Sequence, residues 1–322
     1  MNYKKLDYTP PFLLSNGHLL SIYPSLIRKL PKPDYKRERI ATPDDDFIDI
    51  DWSRIGARRA VVISHGLEGD TNRSYVIGMV RALNKAGWDA AAWNFRGCSG
   101  ETNRKLYFYH SGRWPDVHTV SQHVLGTGNY DQLALIGFSM GGNMSLMYLG
   151  QKEVPLDKRI CGCVAFSVPC DLATSAVELA KWQNKIYMRR FLKMLHQKIK
   201  EKMKIFPGEI DDADFHKIKS FGDFDGRYVA PMWGFRDAAD YWRQASSKPY
   251  LPHITTPTLL VNAKDDPFLS PECFPVKEAQ LNPSFVLQSP RHGGHVGFVQ
   301  FNNEKEYWSE KQAVAFLNSV AK

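Results

Sequence analysis

Short apolar runs alternate with longer amphipathic segments through most of the chain, and this pattern predicts strands that alternate with helices. The predicted strands are residues 60–63, 90–95, 133–136, 161–168, 258–262 and 284–288, and the predicted helices include 75–86, 115–125 and 307–320. Such alternation is typical of a mostly parallel sheet with helices on both faces, which places the chain in the α/β class.

The core pattern occupies two separate stretches, residues 59–170 and 248–322. Residues 1–58 precede it and are rich in proline and aromatic side chains, so we expect an N-terminal arm that packs on the core. Within this arm, residues 44–52 alternate between polar and apolar positions as an edge strand would.

Between residues 171 and 247 the strand pattern stops. Four apolar side chains recur there every fourth residue and predict one stripe of a helix: Tyr187, Phe191, Leu195 and Ile199. Basic side chains dominate the rest of this helix: Lys181, Lys185, Arg189, Arg190, Lys193, Lys198, Lys200, Lys202 and Lys204, against the single acid Glu201. A basic amphipathic helix can lie on an anionic membrane. We favour a helix whose stripe covers a site on the core and whose charged face is solvated.

The run 133–136 leads directly into Gly137-x-Ser139-x-Gly141, and a helix-compatible stretch follows. This is the strand–turn–helix context of a nucleophile elbow, in which a strained turn lifts a serine hydroxyl clear of the sheet. Glycine on either side of the serine avoids a collision within the turn. The pattern therefore predicts Ser139 as a catalytic nucleophile.

A serine nucleophile needs a histidine base and a carboxylate that orients it, in the chain order Ser, Asp or Glu, His. Asp265 and Asp266 follow the strand at 258–262, and His292 and His295 follow the strand at 284–288. Catalytic groups at the carboxyl ends of sheet strands are expected in open α/β folds.

Spacing alone does not choose within either pair. We favour Asp266, because the proline after it can start a turn over the sheet, which leaves Asp265 as a solvated or loop-capping acid. We favour His295, because Gly293 and Gly294 free the backbone before it, and we expect His292 at the surface or in a supporting role. A zinc site built on the two histidines lacks a supporting ligand pattern.

The loop after strand 60–63 predicts an oxyanion hole. Its sequence is Ser64-His-Gly-Leu-Glu-Gly69. The backbone N–H groups of Leu67 and Met140 would donate to the oxyanion of a tetrahedral intermediate. For His65 we prefer a structural role, beneath the loop and hydrogen-bonded to its backbone.

Several further motifs resemble one family along nearly the whole chain: Ser15-Asn-Gly-His-Leu19, His65-Gly-Leu-Glu-Gly69, Asn94-Phe-Arg-Gly-Cys-Ser-Gly100, Phe224-Asp-Gly-Arg-Tyr-Val-Ala-Pro231, Gly234-Phe-Arg-Asp-Ala-Ala-Asp-Tyr241, Asn262-Ala-Lys-Asp-Asp-Pro-Phe268 and Gly293-Gly-His-Val-Gly-Phe298. In these motifs the chain resembles the α/β-hydrolase superfamily and, within it, the YheT-like branch of predicted esterases, which includes animal lipid hydrolases. Members near this sequence often have Gln-Thr where this chain has Leu20-Ser21.

The resemblance implies an α/β-hydrolase fold with a triad of Ser139, Asp266 and His295. It also implies that residues 171–247 form a helical lid insertion, as this interval commonly does in such proteins.

Composition fits a globular enzyme. The 322 residues are 43% hydrophobic and can bury a sizeable core, and no apolar run reaches the length of a membrane-spanning helix. The N-terminus lacks the features of a signal peptide, and five scattered cysteines fit neither a disulfide framework nor a zinc pattern, so we expect a cytoplasmic protein. The net charge of +8 comes without a nucleic-acid-binding motif, and we expect no nucleic-acid partner.

The sequence thus predicts a serine hydrolase that cleaves carboxylic esters through an acyl-enzyme, with no metal or organic cofactor. An alternative is a lipid-directed hydrolase, a phospholipase or monoacylglycerol lipase that uses the basic lid at a membrane surface. A third possibility is a non-catalytic scaffold that keeps the fold.

Overall fold

The computed structural model of the protein describes residues 5–321. The strands are β1 (Lys36–Ala41), β2 (Phe47–Ser53), β3 (Arg59–Ser64), β4 (Asp89–Asn94), β5 (Gln132–Phe138), β6 (Ile160–Phe166), β7 (Thr258–Val261) and β8 (Phe285–Gln288). They form one sheet in the order β1-β2-β4-β3-β5-β6-β7-β8. The helices are α1 (Gly17–Ile27), α2 (Ser74–Lys85), α3 (Trp114–Thr127), α4 (Met140–Gly150), α5 (Leu172–Ala180), α6 (Lys185–Ile205), α7 (Phe221–Phe224), α8 (Ala230–Trp233), α9 (Ala238–Ala245), α10 (Val276–Leu281) and α11 (Trp308–Val320).

The sheet is parallel from β4 to β8, and only β2 runs against both of its neighbours. The predicted α/β fold with a mostly parallel sheet is confirmed. The prediction of an edge strand at residues 44–52 is wrong, because β2 lies between β1 and β4 and every residue of it is buried. Polar residues of β2 produced the alternation. The buried carboxylates of Asp49 and Asp51 pair with Arg39 and Arg37 on the edge strand β1, whose side chains are partly exposed.

Both faces of the sheet are buried, as the near-continuous apolar strands require. On β3, Val61 and Ile63 pack in a core with α2 and α11. Ala60 and Val62 point to the other face, where α3, α4 and α6 contribute to a second core. Because parallel strands end at the same edge, the loops after β3, β5, β7 and β8 meet there.

Residues 171–247 are helical and contain α5 to α9 together with a π-helical turn at Asp225–Val229. In α6 the predicted stripe faces inward, since Leu195 and Ile199 are buried. The prediction of a fully solvated basic face is wrong at two positions: Lys198 and Lys202 are buried, and each donates to backbone carbonyls of the loop at residues 97–105. Movement of these helices as a lid stays a prediction.

Within residues 5–321, none of the helices combines the length and apolar character needed to cross a bilayer.

Candidate active site

Ser139 lies in the turn between β5 and α4 with an unusual backbone. Its φ of 52° and ψ of −120° fall outside the regions that non-glycine residues ordinarily occupy. The turn is held at both ends, because the Ser139 N–H donates to the Phe166 carbonyl at 2.8 Å and the Asn143 N–H donates to the Ser139 carbonyl at 3.0 Å. The strained residue is therefore fixed at the N-terminus of α4, as a nucleophile elbow requires.

The glycines on either side of Ser139 are required by close packing. A Cβ on Gly137 would lie 2.4 Å from the Cα of Gly142, and a Cβ on Gly141 would lie 2.4 Å from the carbonyl oxygen of His65. The second contact shows that the elbow packs directly against the loop after β3. A larger residue at position 137 would push β5 away from the start of α4, and one at position 141 would push the elbow away from this loop.

Three of the predicted side chains meet at the carboxyl edge of the sheet. His295 Nε2 lies 2.9 Å from Ser139 Oγ, and His295 Nδ1 lies 2.9 Å from Asp266 Oδ2 and 3.1 Å from Oδ1. Asp266 has a fully buried side chain, whereas His295 exposes 12%. An ionised Asp266 can only accept, so Nδ1 carries the imidazole proton and Nε2 is free to accept from the serine hydroxyl.

The neighbouring Asp265 and His292 form a separate pair. His292 Nδ1 is 3.0 Å from Asp265 Oδ2, and the Gly294 N–H donates to Asp265 Oδ1 at 2.9 Å. Asp265 thus holds the loop that carries His295, in agreement with its expected loop-capping role, and neither residue contacts Ser139. Among the described residues, no group of three or more His, Cys, Asp or Glu side chains could hold a metal ion.

Two serines hold the backbone of the histidine loop. The His295 N–H donates to Ser21 Oγ on α1 at 2.7 Å, and the Val296 N–H donates to Ser167 Oγ after β6 at 2.9 Å. Threonine at position 21 would supply the same hydroxyl. The N-terminal arm therefore supports the site directly.

The predicted oxyanion loop lies against the elbow. A Cβ on Gly66 would be 3.3 Å from the Cβ of Ser139, and Leu67 and Met140 line the same cavity as Ser139. His65 beneath the loop is buried, accepts at Nε2 from the Phe95 N–H at 3.1 Å and donates from Nδ1 to the Gly66 carbonyl at 2.7 Å. Burial lowers the pKa of His65 to about 3, so the ring stays neutral and serves as a structural support, as expected.

A buried polar cluster fixes the residue after Leu67. Glu68 has a φ of 50°. Its carboxylate accepts from the Tyr109 hydroxyl, and Lys198 Nζ of α6 lies 3.4 Å from the same oxygen. Lys198 also donates to the Gly97 carbonyl at 2.7 Å. A side chain of α6 thereby joins the loop after β3 to the loop after β4.

A cavity of about 640 Å³ opens beside Ser139 and His295. The helices at 171–247 supply mostly apolar lining, including Leu172, Leu179 and Phe191. One carboxyl group interrupts this apolar wall. Asp225 is buried and accepts a hydrogen bond from Trp242 Nε1 at 2.8 Å. Burial raises the pKa of its carboxyl group to about 7. The arrangement can hold an apolar chain next to a polar reacting group.

Sequence reasoning missed several of these contributors. Ser21 and Glu68 lie next to or within sequence motifs of the family, but the motifs themselves do not indicate a role for either side chain. Lys198 could not be told apart from the solvated lysines around it, because its burial depends on where α6 crosses the core. Ser167 gave no sequence signal.

Comparison with known proteins agrees with this architecture. A family model described as alpha/beta hydrolase fold matches residues 59–301. The chain is 35% identical over 301 residues to the Escherichia coli K12 protein named "Putative esterase YheT", covering 91% of this chain and 87% of the relative. It is 27% identical to the human protein named "Phospholipase ABHD3", covering 91% of this chain and 74% of the relative. The solved structure of the Pyrococcus furiosus esterase Pf2001 superposes with a TM-score of 0.61 at 19% identity, over 100% of both chains, and shares the fold.

Proposed function

Because the chain belongs to the α/β-hydrolase family and to its YheT-like branch, we propose that it is a serine hydrolase that cleaves carboxylic esters through an acyl-enzyme. The observation that carries this proposal is the chain of contacts from Ser139 Oγ to His295 Nε2 and from His295 Nδ1 to Asp266. Hydrolase and esterase relatives support the same reaction class.

The geometry supports a two-step acyl transfer. His295 takes the proton of Ser139 as the hydroxyl oxygen attacks the ester carbonyl, and the carboxylate of Asp266 stabilises the imidazolium. His295 then gives this proton to the leaving alcohol. Water activated by the same imidazole hydrolyses the acyl-enzyme, which releases the carboxylic acid and restores the serine.

The negative charge that develops on the carbonyl oxygen needs donors in place before the reaction. We assign this role to the backbone N–H groups of Leu67 and Met140, because both residues line the cavity beside Ser139. The positive end of α4 adds to their effect, since its N-terminus begins at the elbow. Glu68 and Lys198 hold the loop that positions the first donor.

Labelling by a fluorophosphonate probe tests the proposal. We expect wild-type protein to be labelled and to hydrolyse p-nitrophenyl esters, and Ser139→Ala to lose both. Ser145→Ala serves as a matched control, because Ser145 is buried in the same helix and donates to a backbone carbonyl. Absence of labelling in folded wild-type protein, with no ester hydrolysis, would instead support the non-catalytic scaffold.

A lipid ester is the second candidate for the substrate. The apolar lining of the cavity favours a substrate with a hydrocarbon chain, and one relative is named a phospholipase. Interfacial activation separates the two candidates. The rate of a lipase rises sharply above the concentration at which its substrate aggregates, whereas the rate of a carboxylesterase for soluble esters follows ordinary saturation.

We propose the cytoplasm as its compartment. The five cysteines are free thiols, and three of them are buried in the core. A reducing compartment keeps such thiols unpaired.

A further inference from the structure

Four large apolar side chains on α1 and at the start of α6, two elements that line the cavity, are at least half exposed. They are Leu19 (50%), Leu26 (67%), Trp182 (86%) and Ile186 (74%), and we call them the mouth patch. Single exposed apolar residues are ordinary on protein surfaces, but a group of them beside a cavity marks an interaction surface.

The two elements that carry the mouth patch are neighbours. Leu26 of α1 and Ile186 of α6 both line the cavity. The ring of His18 stacks on the ring of Tyr187 with centroids 5.8 Å apart, and His18 Nδ1 is 3.2 Å from the Tyr187 hydroxyl. The starts of α1 and α6 therefore flank one opening.

The remaining two side chains extend this surface. Leu19 lies seven residues before Leu26, so both belong to one stripe of α1. Trp182 lies in the turn before α6, and Asn184 fixes this turn by donating to the carbonyls of Pro267 (2.6 Å) and Glu178 (3.0 Å). Trp182 is thus held outward on an ordered turn.

The two stretches of chain that carry the mouth patch are basic. The stretches 8–33 and 181–200 contain no Asp or Glu. Lys29, Lys185 and Arg189 in these stretches are exposed, and none of the three forms an ion pair with another residue of the described range 5–321. A second copy of the chain docked on this surface would bring like charges together, whereas an anionic surface would neutralise them.

We propose that the mouth patch docks the protein on a lipid bilayer that carries anionic headgroups. The lysines and arginine attract the headgroups, and the apolar side chains insert at the boundary of the acyl chains, where tryptophan is favoured. The cavity then opens onto the bilayer. Cleavage of a lipid that enters the cavity rests on the proposed ester hydrolysis. Docking on the bilayer does not depend on it.

Vesicle co-sedimentation of the Ser139→Ala protein measures docking without hydrolysis. The probes are vesicles of phosphatidylcholine alone and of phosphatidylcholine with phosphatidylglycerol, each at low and high salt. We expect binding to the anionic vesicles that weakens with salt. Adding Leu19→Glu and Trp182→Glu should reduce partitioning by about tenfold or more, because two apolar contacts are replaced by charges that the headgroups repel.

Leu281→Glu is the matched control, since this leucine of α10 is 84% exposed and does not line the cavity. It should bind vesicles like the parent. A Leu19→Glu/Trp182→Glu double variant that keeps Ser139 should still hydrolyse soluble esters. Equal binding of the double variant and its parent, no binding of the parent to anionic vesicles, or a dimer in light scattering that the double variant abolishes would each overturn the proposal. Loss of ester hydrolysis with docking retained would count against the proposed function alone.

Discussion

The two walls of the cavity are built on different principles. On the sheet side, Ser139, His295 and Asp266 are each fixed by hydrogen bonds, and the loops that carry them are held by further polar contacts. On the side formed by residues 171–247, the lining is mostly apolar, and Asp225, which accepts from Trp242, is a polar exception. Hydrogen bonds fix the distance and angle of a reacting group, whereas apolar packing selects mainly for size. The sheet side should therefore control rate, and the helical side should control which substrate is accepted.

The largest expected effect separates two adjacent carboxylates on the sheet side. Asp266→Asn should lower kcat by about 10⁴-fold, because the amide no longer stabilises the imidazolium or the required tautomer of His295. Asp265→Asn is the matched control and should have a much smaller effect, since Asp265 holds the loop through His292 and Gly294. Steady-state kinetics with a p-nitrophenyl ester measures both. A larger loss at position 265 would reverse the assignment of the acid.

The carboxyl group of Asp225 tests the apolar character of the helical side. Burial raises its pKa to about 7, so the folded protein keeps its proton while the unfolded chain ionises at an ordinary, lower pKa. The free energy of unfolding should therefore fall as pH rises from 4 to about 7, by at most about 1.4 kcal/mol per pH unit for this one group. Asp225→Asn should abolish this contribution.

Urea unfolding across that pH range gives the measurement. Asp34→Asn is the control, because Asp34 is exposed and should change little. If the free energy of unfolding changed with pH in the same way for wild type and Asp225→Asn, burial would not raise the pKa of the Asp225 carboxyl group.

Lys198 connects the two walls, because it reaches from α6 to Glu68 beside the predicted oxyanion donor. Lys198→Met keeps much of the volume but leaves the Glu68 carboxylate without its buried cation, so the loop should shift. We expect kcat to fall on the order of 10- to 100-fold with little change in KM, since a small misplacement affects the transition state most. Lys193→Met on the exposed face of α6 should leave kcat unchanged. A change in KM alone would mean that Lys198 contributes to substrate binding, as the helical side does, and not to positioning the oxyanion donor.

The smallest expected effect concerns chain length. Met194→Trp adds bulk to the helical lining and should lower kcat/KM for long acyl esters relative to short ones by about tenfold. Leu281→Trp, outside the cavity, should leave the ratio unchanged. A uniform loss for all chain lengths would mean that the helical side also positions the reacting groups.

The sequence predicted the sheet side better than the helical side. An apolar strand can be identified from a short run of neighbouring residues, and so can a turn such as Gly-x-Ser-x-Gly. The strands from β3 to β8 and the α/β fold were therefore predicted correctly. The structure brings Ser139, Asp266 and His295 together, and their catalytic roles stay predictions. The domain boundaries also stay predictions.

The errors arose where burial depends on tertiary context. The polar residues of β2 suggested an edge strand, because their ion-pair partners Arg37 and Arg39 lie on another strand. Lys198 and Lys202 were interpreted as solvated because no local pattern shows that backbone carbonyls of a distant loop accept from them. Charged residues of this kind reveal their environment only after the chain has folded.

The bond from the His295 backbone to Ser21 joins residues 274 positions apart. During translation, the elbow with Ser139 leaves the ribosome long before residue 295 has been made. Ser21 of α1 cannot accept from the His295 N–H until then. Under the proposed mechanism, a nascent chain therefore carries its serine without a base and cannot attack esters around it. Activity begins only after residue 295 has been made and its loop has joined α1.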